Sequence, residues 1–282
     1  MAAEPEFPFL FCRAAFAATR PLSFQTPAAN LFRGCLGFAL PEAVFRPVSP
    51  QGPSGFRDRP RPFSLRCHHL DGAHLLEGQP FEITLHLFSP QPEPFRQALS
   101  SLSFARLTSF EVQPRTLALA PPSTQIRAVH LEFSTPTELK PPVPRGQLPQ
   151  FPVLMARVRD RISSLLSFYS PGAAAFLEDF DFAGFAQRAA HVSARRGQID
   201  WLSASRTSRR TGQTHPLSGI TGWADYHGPL TEFLPWLSAG EVAGVGRHTV
   251  WGNGVIRVLV IESPDSIPGR PPVGPSADCH PR

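Results

Sequence analysis

The sequence predicts an α+β protein built from two tandem ferredoxin-like domains, each with the order β-α-β-β-α-β, the second closed by a glycine-rich loop. Three observations carry this expectation. The chain has 282 residues, enough for about two domains of ~100 to 150 residues. Apolar residues alternate with period two and recur at helical spacing in the same order twice. Between Gly240 and Gly254 five glycines fall within fifteen residues, directly before the β-branched run Val255 to Ile261.

The first domain is expected over residues 1–122. Phe7, Phe9 and Phe11 alternate along a first strand, and Asn30 to Leu40 forms a short helix stopped by Pro41. After a Pro/Gly/Arg-rich loop from Pro47 to Pro62, Phe63 to Cys67 and Phe81 to Phe88 make a hairpin. Phe95, Leu99 and Leu102 mark a second helix, and Thr108 to Leu119 a fourth strand. That order is the split βαβ arrangement.

The second domain is expected over 123–263, after the joint at Pro121-Pro122-Ser123. Val129, Leu131 and Phe133 alternate in a strand, and Phe151, Leu154, Met155, Val158, Ile162, Leu165 and Tyr169 form one helical stripe. Arg157, Arg159 and Arg161 read as a solvated helix surface. An inserted helix from Ala174 to Arg188, strands around Ile199 to Leu202 and Ile220 to Tyr226, and a helix from Leu230 to Leu237 precede the last strand, Val255 to Ile261. In residues 264–282 proline and glycine dominate, which predicts a disordered tail.

The net charge is +5, almost all from arginine, since Lys140 is the sole lysine. Between Gln187 and His215 lie Arg188, Arg195, Arg196, Arg206, Arg209 and Arg210, against Asp200 alone; this stretch equals the chain's net excess and predicts a patch attractive to polyanions. The N-terminus opens with acidic Glu4 and Glu6 before any basic residue, unlike a signal peptide, and no apolar run reaches ~18 residues. A cytoplasmic protein with no membrane partner is expected. Cys12, Cys35, Cys67 and Cys279 are too scattered for a disulfide framework, and Cys35 reads as a buried thiol within the first helix. Cys67, His68, His69 and His74 lack a second spaced ligand pair and read as turn residues, so neither metal nor cofactor is expected.

Glycine permits φ > 0 and close backbone approach, so a loop carrying Gly244, Gly246, Gly252 and Gly254 beside Arg247 is suited to phosphate. The chain resembles the CRISPR-associated RAMP proteins, specifically the endoribonucleases that process precursor CRISPR RNA. The resemblance rests on Phe133 to Lys140, Ile199-Asp200-Trp201 with Arg206 to Arg210, Gly219 to Gly222 with Tyr226 to Leu230, and Phe233 to Leu237 running into Gly240-Glu241 and the glycine loop. In the first half only Leu31 to Gly37 and Arg61-Pro62-Phe63 echo the family. Where relatives often carry His-Val-Gly-Lys in the loop, this chain has Gly244-Val245-Gly246-Arg247. Relatives also often carry a cysteine-rich insertion after the first helix, and a catalytic histidine near it; this chain has no such insertion and no histidine before His68.

The resemblance implies RNA cleavage without metal, in which a ribose 2′-OH attacks the adjacent phosphate and leaves a 2′,3′-cyclic phosphate and a 5′-OH. Histidine suits either proton role because its free pKa is near 6.5. The catalytic candidates are therefore His227 beside Tyr226, and His248 beside Arg247. The RNA-binding candidates are Arg206, Arg209, Arg210, Arg247 and the four loop glycines. CRISPR repeat RNA, and other CRISPR effector subunits, are the implied partners. The alternative is a non-cleaving RAMP subunit that holds guide RNA in an effector complex.

Overall fold

The computed structural model describes residues 5–25, 27–45, 47, 59–203, 205–207 and 214–262. The expected tail, 264–282, and most of the loop between Pro47 and Pro62 lie outside them. In chain order the elements of the first half are β1 (Glu6–Ala18), β2 (Leu22–Ser23), α1 (Ala29–Ala39), α2 (Glu42–Phe45), β3 (Phe63–Arg66), β4 (His74–Leu75), β5 (Pro80–Leu87), α3 (Glu93–Ser100) and β6 (Ala105–Ala118). Strands β3-β5-β1-β6 form one antiparallel sheet in that spatial order, and β2 pairs with β4 beside it. Strand β1 is interior to the sheet, paired along both edges, and its two faces serve different cores. Cys12, Ala14 and Phe16 join the core that holds Phe32 and Leu36 of α1 and Phe95 and Leu99 of α3. Phe7 and Phe9 point the other way, into the core of the second half.

The second half comprises β7 (Ala128–Thr137), α4 (Phe151–Tyr169), α5 (Ala174–Asp179), α6 (Phe182–Ala189), β8 (Ser193–Leu202), β9 (Ser205–Thr207), β10 (Thr214–Pro216), β11 (Gly219–His227), α7 (Leu234–Ala243) and β12 (Ile256–Val260). Its sheet runs β12-β7-β11-β8, again antiparallel and again the order in which the first strand sits between the third and the fourth. The repeated connectivity of the two four-stranded sheets is the tandem ferredoxin-like fold expected from the sequence. Strands β5 and β12 lie in different sheets. Proline sits in the first turn of α3, α4 and α7, where its missing N–H has no helical partner to lose.

Several boundaries differ from the sequence reading, each for a physical reason. The inserted helix is two short ones, because Asp181 interrupts it and accepts a hydrogen bond from the Gly184 amide as the cap of α6. Helix α7 starts at Leu234 rather than Leu230 and runs on through Gly240 to Ala243, so the glycine segment begins inside a helix. Leu102 lies beyond α3, and β9 and β10 form a short ribbon that continues β8 and β11. Cys35 is half-buried on α1, whereas Cys12 and Cys67 are the buried thiols, burial pushing both up to about 12.

Helix α7 joins the halves. It touches β3 and β6 of the first sheet and β12 of the second. The last carbonyls of a helix lack partners within it, and here Glu241 O and Val242 O are taken by side chains of the first sheet. Ser64 Oγ donates to Val242 O at 2.8 Å, Arg66 Nη2 to Glu241 O at 2.6 Å and to Val242 O at 3.1 Å, and His86 Nδ1 to Val242 O at 2.9 Å. Burial holds Arg66 down to about 10, which leaves it charged at neutral pH, and burial next to Arg66 holds His86 down to about 4. Replacing Arg66 with methionine strands Glu241 O, while Val242 O keeps Ser64 and His86, and is expected to lower stability by about 2 kcal/mol, read from denaturant unfolding. The folded pKa of His86 lies below its free value, so unfolding takes up a proton at acidic pH. Its contribution is complete above pH ~6.5 and falls by about 3 kcal/mol as pH drops toward 4. The variant His86→Gln keeps a donor and is expected to flatten that part of the stability–pH curve; an unchanged acid slope would remove His86 from this role.

Candidate nucleic-acid interface

The segment from Gly244 to Val255 is a folded loop wedged between the halves. Gly244, Gly246, Gly252 and Gly254 all have φ between 72° and 78°, a conformation costly to residues with a Cβ. The close approaches they allow are to the protein itself. A Cβ on Gly246 would lie 2.2 Å from Glu138 O, one on Gly254 2.0 Å from Val245 O, and one on Gly252 2.6 Å from Ala29 Cβ in α1. The loop's amides are largely donated internally: Val245 N to Gly254 O, Arg247 N to Glu138 O, Gly254 N to Pro136 O and Val255 N to Thr135 Oγ1. The expectation that these glycines cradle phosphate directly is therefore replaced by a structural one: they fix the loop against the end of β7 and against α1.

What the loop presents is a set of side chains. Trp251 is buried in the core of the first half, and the Arg33 guanidinium of α1 stacks 3.4 Å from its ring centroid. Arg247 Nη1 lies 3.1 Å from Glu138 Oε1, and His248 Nε2 lies 3.5 Å from Glu138 Oε2. Among the described residues His248 is the one non-glycine with positive φ, at 64°, the kind of backbone strain that accumulates at functional sites. Asn30, in the first turn of α1, has a buried Oδ1 with no hydrogen-bond partner. Lys140 stands exposed two residues beyond Glu138. Sequence reasoning assigns no role to Arg33, Asn30, Glu138 or Trp251, although all lie in or beside segments that carry the family resemblance or the loop.

The other candidates are dispersed. Tyr226 is fully buried; its hydroxyl donates to Pro149 O at 2.9 Å, its ring packs on Phe151, and burial raises its pKa. It is a core residue, not a surface acid. His227 pairs with Ala128 at the start of β7, whereas the glycine loop rests on Glu138 just past the end of that strand. At ~3.3 Å per residue the two lie ~30 Å apart, too far for His227 and His248 to serve one phosphate. Arg206 lies on β9, opposite His215 of β10. This ribbon extends from the end of the sheet where Ile220 pairs with Thr137, the same end as the glycine loop. Arg209 and Arg210 fall outside the described residues.

The arginine patch is less free than its sequence implied. Arg188 binds Glu232 and Asp181, and Arg196 binds Asp225, carboxylates that the sequence window between Gln187 and His215 does not contain. Arg157 and Arg159 share Asp160 as a surface pair of the expected kind. Arg161 departs from it: its Nε and Nη2 are buried without hydrogen-bond partners, its guanidinium lies 5.8 Å from the Phe88 ring, and burial holds it down to about 10. His68, His69 and His74 are exposed, the first two on a single 3-10 turn and His74 on β4 rather than in a turn, with His69 Nε2 on Glu82 O and His74 Nδ1 on Ser23 Oγ.

A tandem ferredoxin-like protein with a glycine-rich loop before its last strand is the class this fold and loop define. Residues 131–256 match the sequence model of the family CRISPR-associated endoribonuclease Cas6. The fold as a whole is similar to that of a Thermus thermophilus Cas6 product complex, at 19% identity and a TM-score of 0.53, over 89% of this chain and 100% of that one. It is also similar to chains in a partial Cas6-RT-Cas1–Cas2 complex and in a Cas6-RT-Cas1–Cas2 complex. Both matches have 13% identity, a TM-score of 0.54 and 92% coverage of this chain, with 47% and 30% of those longer chains covered. No curated protein matches.

Two glycines of the second half differ in what surrounds them. Gly246 and Gly146 have nearly the same φ, 78° and 75°, but only Gly246 has backbone within reach of an added Cβ. Gly246→Ala is expected to cost about 2 kcal/mol or more and Gly146→Ala about 1 kcal/mol, measured by denaturant unfolding. Equal costs would mean that φ alone, and not the approach to Glu138, holds Gly246.

Proposed function

We propose that this protein binds CRISPR repeat RNA and cleaves it without metal, by attack of a ribose 2′-OH on the adjacent phosphate. The observation that carries the reading is the convergence, at one end of the second sheet, of the glycine loop with Arg247 and His248, the Arg33-bearing helix α1, and the ribbon that includes Arg206. A Cas6-type sequence over residues 131–256 and a fold shared with a Cas6 product complex support it. In this reading the His248 imidazole exchanges the proton, with Glu138 holding the ring from its Nε2 side, and Arg247, Arg33 and Lys140 offset charge on the phosphorane. Arg206, Arg209 and Arg210 track the RNA backbone. The domain limits that go with it are 1–122 and 123–263, and its setting is the cytoplasm beside other CRISPR subunits; no helix among the described residues is long and apolar enough to cross a membrane.

A second reading, a RAMP subunit that binds RNA and does not cut it, is favoured by one observation: the stretch up to Cys67, including α1, contains no histidine. Incubation of the purified protein with repeat RNA in EDTA separates the two, because only the enzyme releases a product with a 5′-OH end. For the enzyme, His248→Ala is expected to slow cleavage by roughly 10² to 10⁴-fold with RNA affinity retained; an unchanged rate would remove His248 from catalysis. Alanine at Arg206, Arg209 and Arg210 is expected to weaken binding across sequences and to flatten its salt dependence, by roughly 0.7 in log–log slope for each single-strand phosphate left without its arginine. An unaltered slope in the triple variant would return these arginines to the solvated surface.

A further inference from the structure

We propose that the cavity between residues 143–146 and the end of β8 is a pocket for one unpaired nucleobase of the bound RNA, stacked on Trp201. This rests on the RNA-binding reading above and adds a second point of attachment to it. The cavity measures about 310 Å³ and is lined by Val143, Pro144, Arg145, Ile199, Trp201 and Ile220, among others. That volume stands at the small end of ligand sites, the scale of a single ring system rather than of a folded segment.

Three features select a base. Trp201 is 37% exposed, and among the described residues no ring contact involves it, unlike Trp223, Trp236 and Trp251. An indole open to solvent in a concave site is a stacking surface, and such stacking is tolerant of sequence because every base has a π face. Strand β8 is the edge of its sheet, so one row of its backbone N–H and C=O groups faces away from β11 and is placed to meet the polar edge of a stacked ring. Arg145 is exposed in the cavity wall with no ion pair among the described residues, Asp200 being the other charged residue of the lining, and supplies positive charge for the phosphate of that nucleotide.

Position supports the same occupant. Ile220, in the cavity wall, pairs with both Thr137 of β7 and Trp201 of β8. The pocket therefore lies at the sheet end that carries the glycine loop on one side and the β9–β10 ribbon on the other. An RNA strand passing from His248 to Arg206 runs beside it. Val143 and Ile199 add apolar atoms to a lining that also carries Arg145 and Asp200, a mixture that suits a ring with one polar edge.

The test uses the full chain and a repeat hairpin RNA with unpaired flanks, in which each unpaired nucleotide is made abasic in turn. The parent protein is expected to show one position whose base removal weakens binding about tenfold. Trp201→Ala is expected to show the same weakening with intact RNA and no further weakening with that abasic RNA, and Trp201→Phe to recover most of the affinity. Arg145→Ala is expected to reduce the salt dependence of binding without shifting the sensitive position. Thermal melting of each variant separates misfolding from an emptied pocket. If Trp201→Ala binds intact RNA like the parent, or if the abasic and alanine effects add, the pocket does not hold a base and the proposal falls. If the parent itself shows no preference for repeat RNA over a charge-matched RNA, the RNA-binding reading fails first and the pocket with it.

Discussion

The last turn of α7 ends in carbonyls that only the first sheet satisfies, and most of the molecule's geometry follows from that demand. Ser64, Arg66 and His86 come from the face of β3 and β5 turned away from α1 and α3, and they converge on Glu241 and Val242. A cation at a helix C-terminus also meets the negative end of the helix dipole, so Arg66 answers hydrogen-bond and charge requirements together. With α7 fixed, Gly244 leaves the helix at one defined place, its amide still bonded to Gly240 O. The loop that follows is then set against Glu138 and α1. The positions of Arg247 and His248 thus depend on bonds made by a different sheet.

The fold is legible in the sequence because alternation and helical spacing are local signals. Phe81 to Phe88 reads as a strand whatever surrounds it, and the Phe151 to Tyr169 stripe reads as a helix. What eludes the sequence is tertiary. Phe7 and Phe9 are visible as strand residues, but nothing in their spacing says that they face the other half's core. The glycines of the loop announce positive φ; that the space they free is occupied by Glu138 and Ala29 depends on residues more than a hundred positions away. Glu138 and Arg33 stand within recognisable family segments without a chemical role until the fold brings them to the loop.

Charge shows the same limit. The arginine excess between Gln187 and His215 is real as a count, yet Arg196 is held by Asp225, a fully buried carboxylate that also takes His130 Nδ1 at 2.6 Å. His130 lies near Glu132, and Glu132 near Arg257. The outer face of the second sheet therefore carries a line of mutually paired polar and charged side chains across β8, β11, β7 and β12, with Trp223 against the His130 ring. Such a line is nearly neutral to a distant polyanion. A phosphate backbone is better attracted to the sheet end, where Arg145 and Lys140 are exposed.

The use of second-half residues to cover the first sheet has a consequence for synthesis. Chains emerge N-terminus first, so β1 to β6 can pair while α4 and α7 are still inside the ribosome or not yet translated. During that interval Phe7, Phe9 and Phe88 would present an apolar sheet face to solvent, with Ser64, Arg66 and His86 lacking the carbonyls they later bind. At ~5 to 20 residues per second the wait is on the order of ten seconds, long enough for misassociation between neighbouring nascent chains. Ribosome-held chains stopped after β6 should accordingly recruit holdase chaperones, and chains stopped well past α7 should release them; equal recruitment by both would show that the exposed face is shielded some other way.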